Sequence, residues 1–166
     1  NINDEVSIQL WDVSDDEKEI NSLQDWWVCE KLLQRKRIVF RVVGNREIGM
    51  GHIYRALTLA HECSDHEVLF VTDTRNRVAA ETILKHDYWL GVYAKTELTA
   101  QVMALRPNMV IYDALDTAKK DIELIKGAGS SVISFEDLGS GARYTDLTIN
   151  ELYDEPQFVS DHILWG

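Results

Sequence analysis

From residue 38 onward the chain alternates two hydrophobic rhythms. Short apolar runs rich in β-branched residues give way to stretches in which apolar residues recur every three or four positions, the pattern of strands alternating with amphipathic helices. Ile38-Val39-Phe40-Arg41-Val42-Val43 reads as a first strand. Ile53, Ala56, Leu57, Leu59, Ala60 and Cys63 then fall on one helical face, with His61 and Glu62 toward solvent. A second strand is predicted over 67–72 and a helix over 76–85, its buried stripe formed by Val78, Ala79, Ile83 and Leu84. Residues 88–93, interrupted by Gly91, make a short third strand, and 96–105 a helix stopped by Arg106-Pro107. Met109 to Tyr112 is the fourth strand, ending at Asp113. The helix over 117–126 has Asp116 placed to cap it and Gly127 to stop it. Residues 131–135 form a fifth strand and 147–149 a sixth. The sum is an α/β domain with a doubly wound parallel sheet, whose ligands are expected outside the carboxyl ends of the strands. The glycine loop before residue 52, Asp113 and Glu136-Asp137 all fall at that edge.

Residues 1–37 follow a different pattern. One apolar alternation, Val6 to Trp11, precedes an acidic turn and a helix from about Ser22 to Arg35, with Ser22 and Asp25 as a capping pair. This is a short strand and helix extension to the domain at 38–166. Trp26, Trp27, Leu32 and Leu33 give the helix an apolar stripe that needs a partner, either the α/β domain or another surface, a homo-oligomer being one option.

Composition narrows the partners. The chain has 166 residues and a net charge of -11, so nucleic acid and anionic membrane are disfavoured as main partners, because both require a basic surface. Acid is spread along the chain: residues 1–37 carry nine acidic and five basic side chains, leaving 19 and 12 for the remainder. An anion would therefore be held locally. Cys29 and Cys63 stand far apart with no CxxC, which suggests neither a disulfide framework nor a zinc site and fits a reducing cytoplasm. No apolar run approaches the roughly 18 residues of a membrane span, and the start at Asn1 rather than Met points to a piece of a longer chain.

The candidate chemistry sits where the first strand meets its helix. Gly49-Met50-Gly51-His52-Ile53-Tyr54-Arg55 makes a glycine loop opening a helix, where unpaired N–H groups and a dipole end of roughly +0.5 charge favour an anion. Tyr54 stands where a dinucleotide fingerprint needs its third glycine, and the Gly-Lys-Ser/Thr ending of a P-loop is missing. A sugar-nucleotide or diphosphate loop and a purely structural turn both remain open. His52 at the helix start is favoured in its neutral form, able to accept a proton. Arg55 can hold phosphate or pair with Glu47 or Asp73. Asp113 can orient a sugar hydroxyl or a base. No carboxylate spacing enforces a metal site, no cofactor is called for, and His61, His66, His86 and His162 read as surface residues.

The segment Asn45 to Ala60 contains Gly-x-Gly-His-x-x-Arg-x-x-x-Leu-Ala and resembles the signature of the UDP-sugar hydrolases of pseudaminic acid synthesis, relatives of the two-domain GT-B glycosyltransferases. Val110 to Asp116, Val132 to Gly139 and Asp146 to Asn150 are similar to that family's later strand ends, and Ile163 to Gly166 to the point before its second domain. The resemblance implies the Rossmann-like N-terminal half of a GT-B fold. It implies His52 as the base that activates water at the anomeric carbon, releasing UDP and a diacetamido-trideoxy sugar. Gly49, Met50, Gly51, Arg55 and Asp113 would lie around the substrate, and the nucleotide-gripping second domain would follow. Glu136-Asp137 stands where the family often has two aspartates. Residues 1–37, through Glu19 to Trp27, resemble the tail of an acylneuraminate (CMP-sialic-acid-type) cytidylyltransferase, with Asn21 replacing an expected acid. The implied parent joins this nucleotidyltransferase to the hydrolase-like module in nonulosonic (sialic or pseudaminic) acid biosynthesis. A sugar-nucleotide-binding scaffold and a GT-B glycosyltransferase are the alternatives.

Overall fold

The computed structural model describes residues 19–45, 47–153, 155–158 and 160–166. The alternation expected over 6–11 lies outside them. The chain divides between Arg35 and Lys36 into two units.

The described part of the first unit is helix α1 (Leu23–Gln34). Ser22 caps it, its Oγ accepting from the Asp25 N–H at 3.1 Å while donating to Asp25 Oδ2 at 2.7 Å, and Asp25 reaches back to the Asn21 N–H at 3.1 Å. The capping pair thus forms, with the Asp25 carboxylate accepting from the N–H one residue before the cap. No residue of α1 is buried, and Trp26, Trp27 and Leu33 stand exposed.

In the second unit the described residues build one seven-stranded, all-parallel sheet in the order β3-β2-β1-β4-β5-β6-β7. Its strands are β1 (Arg37–Val42), β2 (Glu67–Asp73), β3 (Trp89–Tyr93), β4 (Met109–Asp113), β5 (Ser131–Phe135), β6 (Leu147–Asn150) and β7 (Ile163–Trp165). Helices α2 (Gly51–Glu62), α3 (Arg77–Leu84), α4 (Leu98–Ala104) and α5 (Lys119–Gly127) and a short 3-10 turn (Ala142–Tyr144) connect them. The doubly wound α/β architecture expected from the hydrophobic rhythm is what the chain adopts, and no helix among the described residues is long and apolar enough to cross a membrane.

Burial on both faces explains the continuous apolar runs. Ile38, Phe40, Val42, Phe70 and Ile111 face α2 and α3 through Ile53, Ala56, Ala60, Ala79 and Ile83. Val39, Val71, Val110 and Val132 face α4 and α5 through Leu98, Val102, Ile122 and Ile125. Each such large side chain contributes about 1.5–3 kcal/mol of burial, and Phe40 stacks on Phe70 with ring centres 5.2 Å apart. The chain winds outward through β2 and β3, then returns to β4 on the other side of β1. This makes the β1–β4 boundary the topological switch point, where the connections diverge to opposite faces and leave a crevice.

Four local expectations change. In α3 only Ala79 and Ile83 are buried, while Val78 and Leu84 stay exposed, because an eight-residue helix presents a narrow stripe to the sheet. Asp116 does not cap α5; the Thr117 and Lys119 N–H groups instead donate to Asp137 Oδ1 (2.9 Å) and Ser140 Oγ (3.1 Å), more than nineteen residues away. Gly127 remains inside α5, and Gly129, at φ +92°, takes the left-handed conformation after it. Residues 163–165 add a seventh strand too short to announce itself by periodicity.

Candidate functional site

The loop between β1 and α2 lies at the carboxyl edge of the sheet, beside the switch point. Gly44 follows β1 where the chain must pass close to α2: a Cβ there would lie 2.5 Å from Ile53 Cγ1. Its N–H donates to Asn76 Oδ1 at 3.2 Å. Asn45 organises the next turn, its Oδ1 accepting from the Glu47 and Ile48 N–H groups (2.9 and 3.0 Å) and its carbonyl from Gly49 N–H (2.9 Å). Gly49 has φ +90°, which favours glycine, and a Cβ at Gly49 or Gly51 would meet nothing within 4 Å. The loop therefore contains one glycine required by packing, Gly44, and two that border open space. Met50 precedes the first turn of α2 and offers no side-chain cap.

His52 enters from that first turn and is 8% exposed. Its Nδ1 lies 2.6 Å from Oδ1 of Asp113, which ends β4 and is fully buried. Arg55, one turn along α2, grips the same carboxylate with both ends of its fork: Nη2 donates to Oδ1 at 2.6 Å and Nε to Oδ2 at 2.8 Å. The hydrogen-bond network assigns the histidine tautomer. A carboxylate held bidentate by a guanidinium accepts on both oxygens, so Nδ1 must carry the proton, and the 3.3 Å approach of Arg55 Nη2 to Nδ1 brings together two donors rather than a bond. No described residue hydrogen-bonds to Nε2, and the His52 side chain is 10% exposed. This arrangement can orient an imidazole and stabilise the cation formed when it takes a proton.

Arg55 also donates through Nη1 to Glu136 Oε1 at 3.3 Å and lies over the Phe135 ring, 5.1 Å from its centre. The Asp113 carboxylate is the main reason its guanidinium is held even more firmly protonated than usual. The local pairing expected from spacing, with Glu47 or Asp73, is replaced by these two carboxylates from β4 and β5. Asp73 instead faces Arg75 at 3.5 Å and Arg41 at 3.9 Å. Asp113, expected beside a substrate, has a fully buried side chain whose two oxygens are engaged by His52 and Arg55. Gly49 and Gly51 border open space, while Met50 is half-buried against the core.

Glu136 and Asp137, ambiguous in the sequence, separate cleanly. Asp137 accepts from the Thr117 N–H and hydroxyl (2.9 and 2.5 Å) and the Gly139 N–H (2.9 Å), tying two loops together. Glu136 turns toward Arg55. The sequence places Glu136 at the carboxyl edge of the sheet, where the resembled family often has an aspartate, but carries no sign of its pairing with Arg55. Among the described residues no group of three or more His, Cys, Asp or Glu is placed to hold a metal ion. A cavity of about 490 Å³ opens on the outer side of the loop, lined by Asn45, Glu47, Ile48, Asp73, Arg75 and Asn76 among others; His52 is not part of its wall.

Comparison with known proteins gives one informative likeness. The chain is 25% identical over 113 residues to an uncharacterized protein, MJ1062, of Methanocaldococcus jannaschii, a match that takes in 66% of this chain and 23% of that protein. The chain thus spans less than a quarter of that relative's length. No protein-family model and no solved structure matches it.

Proposed function

We propose that residues 38–166 are the N-terminal, Rossmann-like half of a GT-B-type module that hydrolyses a UDP-sugar, with His52 as general base. The observation that carries this reading is the His52–Asp113 pair beside the topological switch point: a buried carboxylate ending β4 engages Nδ1, and no described residue hydrogen-bonds to Nε2. In the reaction His52 Nε2 removes a proton from water as the water oxygen bonds to the anomeric carbon. The bond from that carbon to the UDP oxygen breaks, and UDP leaves with the electron pair. Asp113 stabilises the imidazolium, and Arg55 keeps Asp113 in place. The open space beside Gly49 and Gly51 at the start of α2 suits an approaching diphosphate. The grip on the nucleotide would come from a second domain. A UDP-diacetamido-trideoxy sugar is the substrate implied by the Gly-x-Gly-His-x-x-Arg resemblance. In the same reading residues 1–37 end an upstream acylneuraminate cytidylyltransferase.

The test is UDP release by the full-length protein from a UDP-diacetamido sugar, with and without candidate acceptors. Release with water alone, yielding the free reducing sugar, supports hydrolysis. Release only with an acceptor makes the module a glycosyltransferase, and binding without release makes it a scaffold.

A further inference from the structure

Glu136 is the most unusual residue at the site. It is 1% exposed, and its backbone has φ +52°, a left-handed conformation that disfavours a side chain of this size and costs of order 1–3 kcal/mol where it persists. Such strain is kept where the surroundings over-determine it, and here they do. The Glu136 N–H donates to the Ile149 carbonyl at 2.9 Å. Its Oε1 accepts from Arg55 Nη1 (3.3 Å) and from the Glu151 N–H (3.2 Å), and its Oε2 from the Leu152 N–H (3.3 Å). The carboxylate therefore joins two things that are otherwise separate: the charged relay His52–Asp113–Arg55 and the backbone just past β6.

We propose that Glu136 is a positioning residue, fixing Arg55, and through it Asp113 and His52, to the segment 151–152. The proposal rests on the reading of His52 as the base. Charges alternate along the relay, with Asp113 and Glu136 negative on either side of Arg55 positive. A guanidinium with one carboxylate partner can pivot about it. A second partner removes that freedom, and the bidentate grip on Asp113 is then held in one plane. A misplacement of about 1 Å at a catalytic group can cost as much as a hundredfold in rate, so a rigid second anchor has consequences for turnover rather than for substrate affinity.

The test combines hydrogen exchange with kinetics on the full-length protein, comparing wild type, Glu136→Gln, Glu136→Asp and Arg55→Lys. Gln turns one acceptor oxygen into a donor amide facing an N–H, so amides 151–152 should exchange about tenfold faster. Arg55 touches neither amide; Arg55→Lys should nonetheless speed the same exchange severalfold if the segment and the relay are joined through Glu136. Glu136→Gln should lower kcat roughly tenfold with KM within about twofold, and Glu136→Asp, which keeps the charge, should recover part of that loss. Unchanged exchange at 151–152 in Arg55→Lys overturns the proposal, as does an unchanged kcat in Glu136→Gln. A wild-type protein that releases no UDP instead overturns the hydrolase reading, and the exchange comparison still decides whether Glu136 joins relay and segment.

Discussion

Asp113 and Asp137 are both fully buried carboxylates beside the carboxyl ends of neighbouring strands, and they are used in opposite ways. Asp137 accepts from Thr117 and Gly139, largely through backbone N–H groups of the loops it ties together. Among the described residues the Asp113 carboxylate accepts only from side chains, His52 and Arg55, both delivered by one helix from across the switch point. Burial and charge do not distinguish the two. The partners do: backbone partners fix the course of the chain, whereas the side-chain partners include a histidine whose second ring nitrogen, Nε2, is engaged by no described residue.

The comparison can be broken by exchanging the consequences of losing each carboxylate. Asp113→Asn keeps the shape of the side chain but offers an amide where Nδ1–H needs an acceptor. Turnover should fall by about a thousandfold or more, as expected when a catalytic histidine loses its orienting carboxylate, and steady-state UDP release measures it. Asp113→Ala should in addition destabilise the domain by about 3 kcal/mol, since it leaves part of a buried charge without its partner; denaturant unfolding reads that value. Asp137→Ala should cost about 2–3 kcal/mol through its unsatisfied N–H groups, equivalent to a fall in Tm of very roughly 4–12 °C for a chain of this size. His52 and Arg55 should stay paired with Asp113 in that variant. If Asp137→Ala abolished turnover in protein that remained folded, the division between the two carboxylates would be wrong.

The pH dependence of stability sharpens the contrast. Burial pushes the Asp137 carboxyl above the ordinary carboxylate range, outweighing the hydrogen bonds from Thr117 and Gly139 that pull it down. The folded chain therefore holds this proton to higher pH than the unfolded chain. The resulting stability is fully present below the ordinary value of about 3.9 and is lost as pH rises through the raised one. The margin of wild type over Asp137→Asn should accordingly shrink between about pH 4 and neutrality, and a widening margin in urea titrations would contradict this.

The smallest expected effects come from the loop. Gly44→Ala drives a methyl group into Ile53 and should cost about 1–3 kcal/mol. Gly51→Ala meets no neighbour and should leave stability within roughly 0.5 kcal/mol or raise it slightly. If the space beside Gly51 receives a diphosphate, the same substitution should raise KM severalfold.

The amino-acid pattern was enough to find β1 to β6 and their helices, because parallel strands buried on both faces carry dense apolar runs such as Ile38 to Val43. It also brought His52, Arg55 and Asp113 to one edge of the sheet. It could not pair them, since the partners are 58 and 61 residues apart and local spacing pointed Arg55 toward Glu47 and Asp73. The start of α5 differs for the same reason: Asp116 is adjacent in sequence, but the acceptor for the first helical N–H, Ser140 Oγ, follows β5. Glu136 was undecidable without its φ and its two backbone donors, neither of which leaves a mark in a single sequence.

The central claim is that His52, held by Asp113, is the base. The most direct test is single-turnover UDP release by the full-length protein with wild-type His52 and with His52→Ala, alongside the dissociation constant for the UDP-sugar. The account predicts that release falls to background in the variant while binding and the unfolding transition stay within about twofold and about 1 kcal/mol of wild type. Release at the wild-type rate from His52→Ala would contradict it.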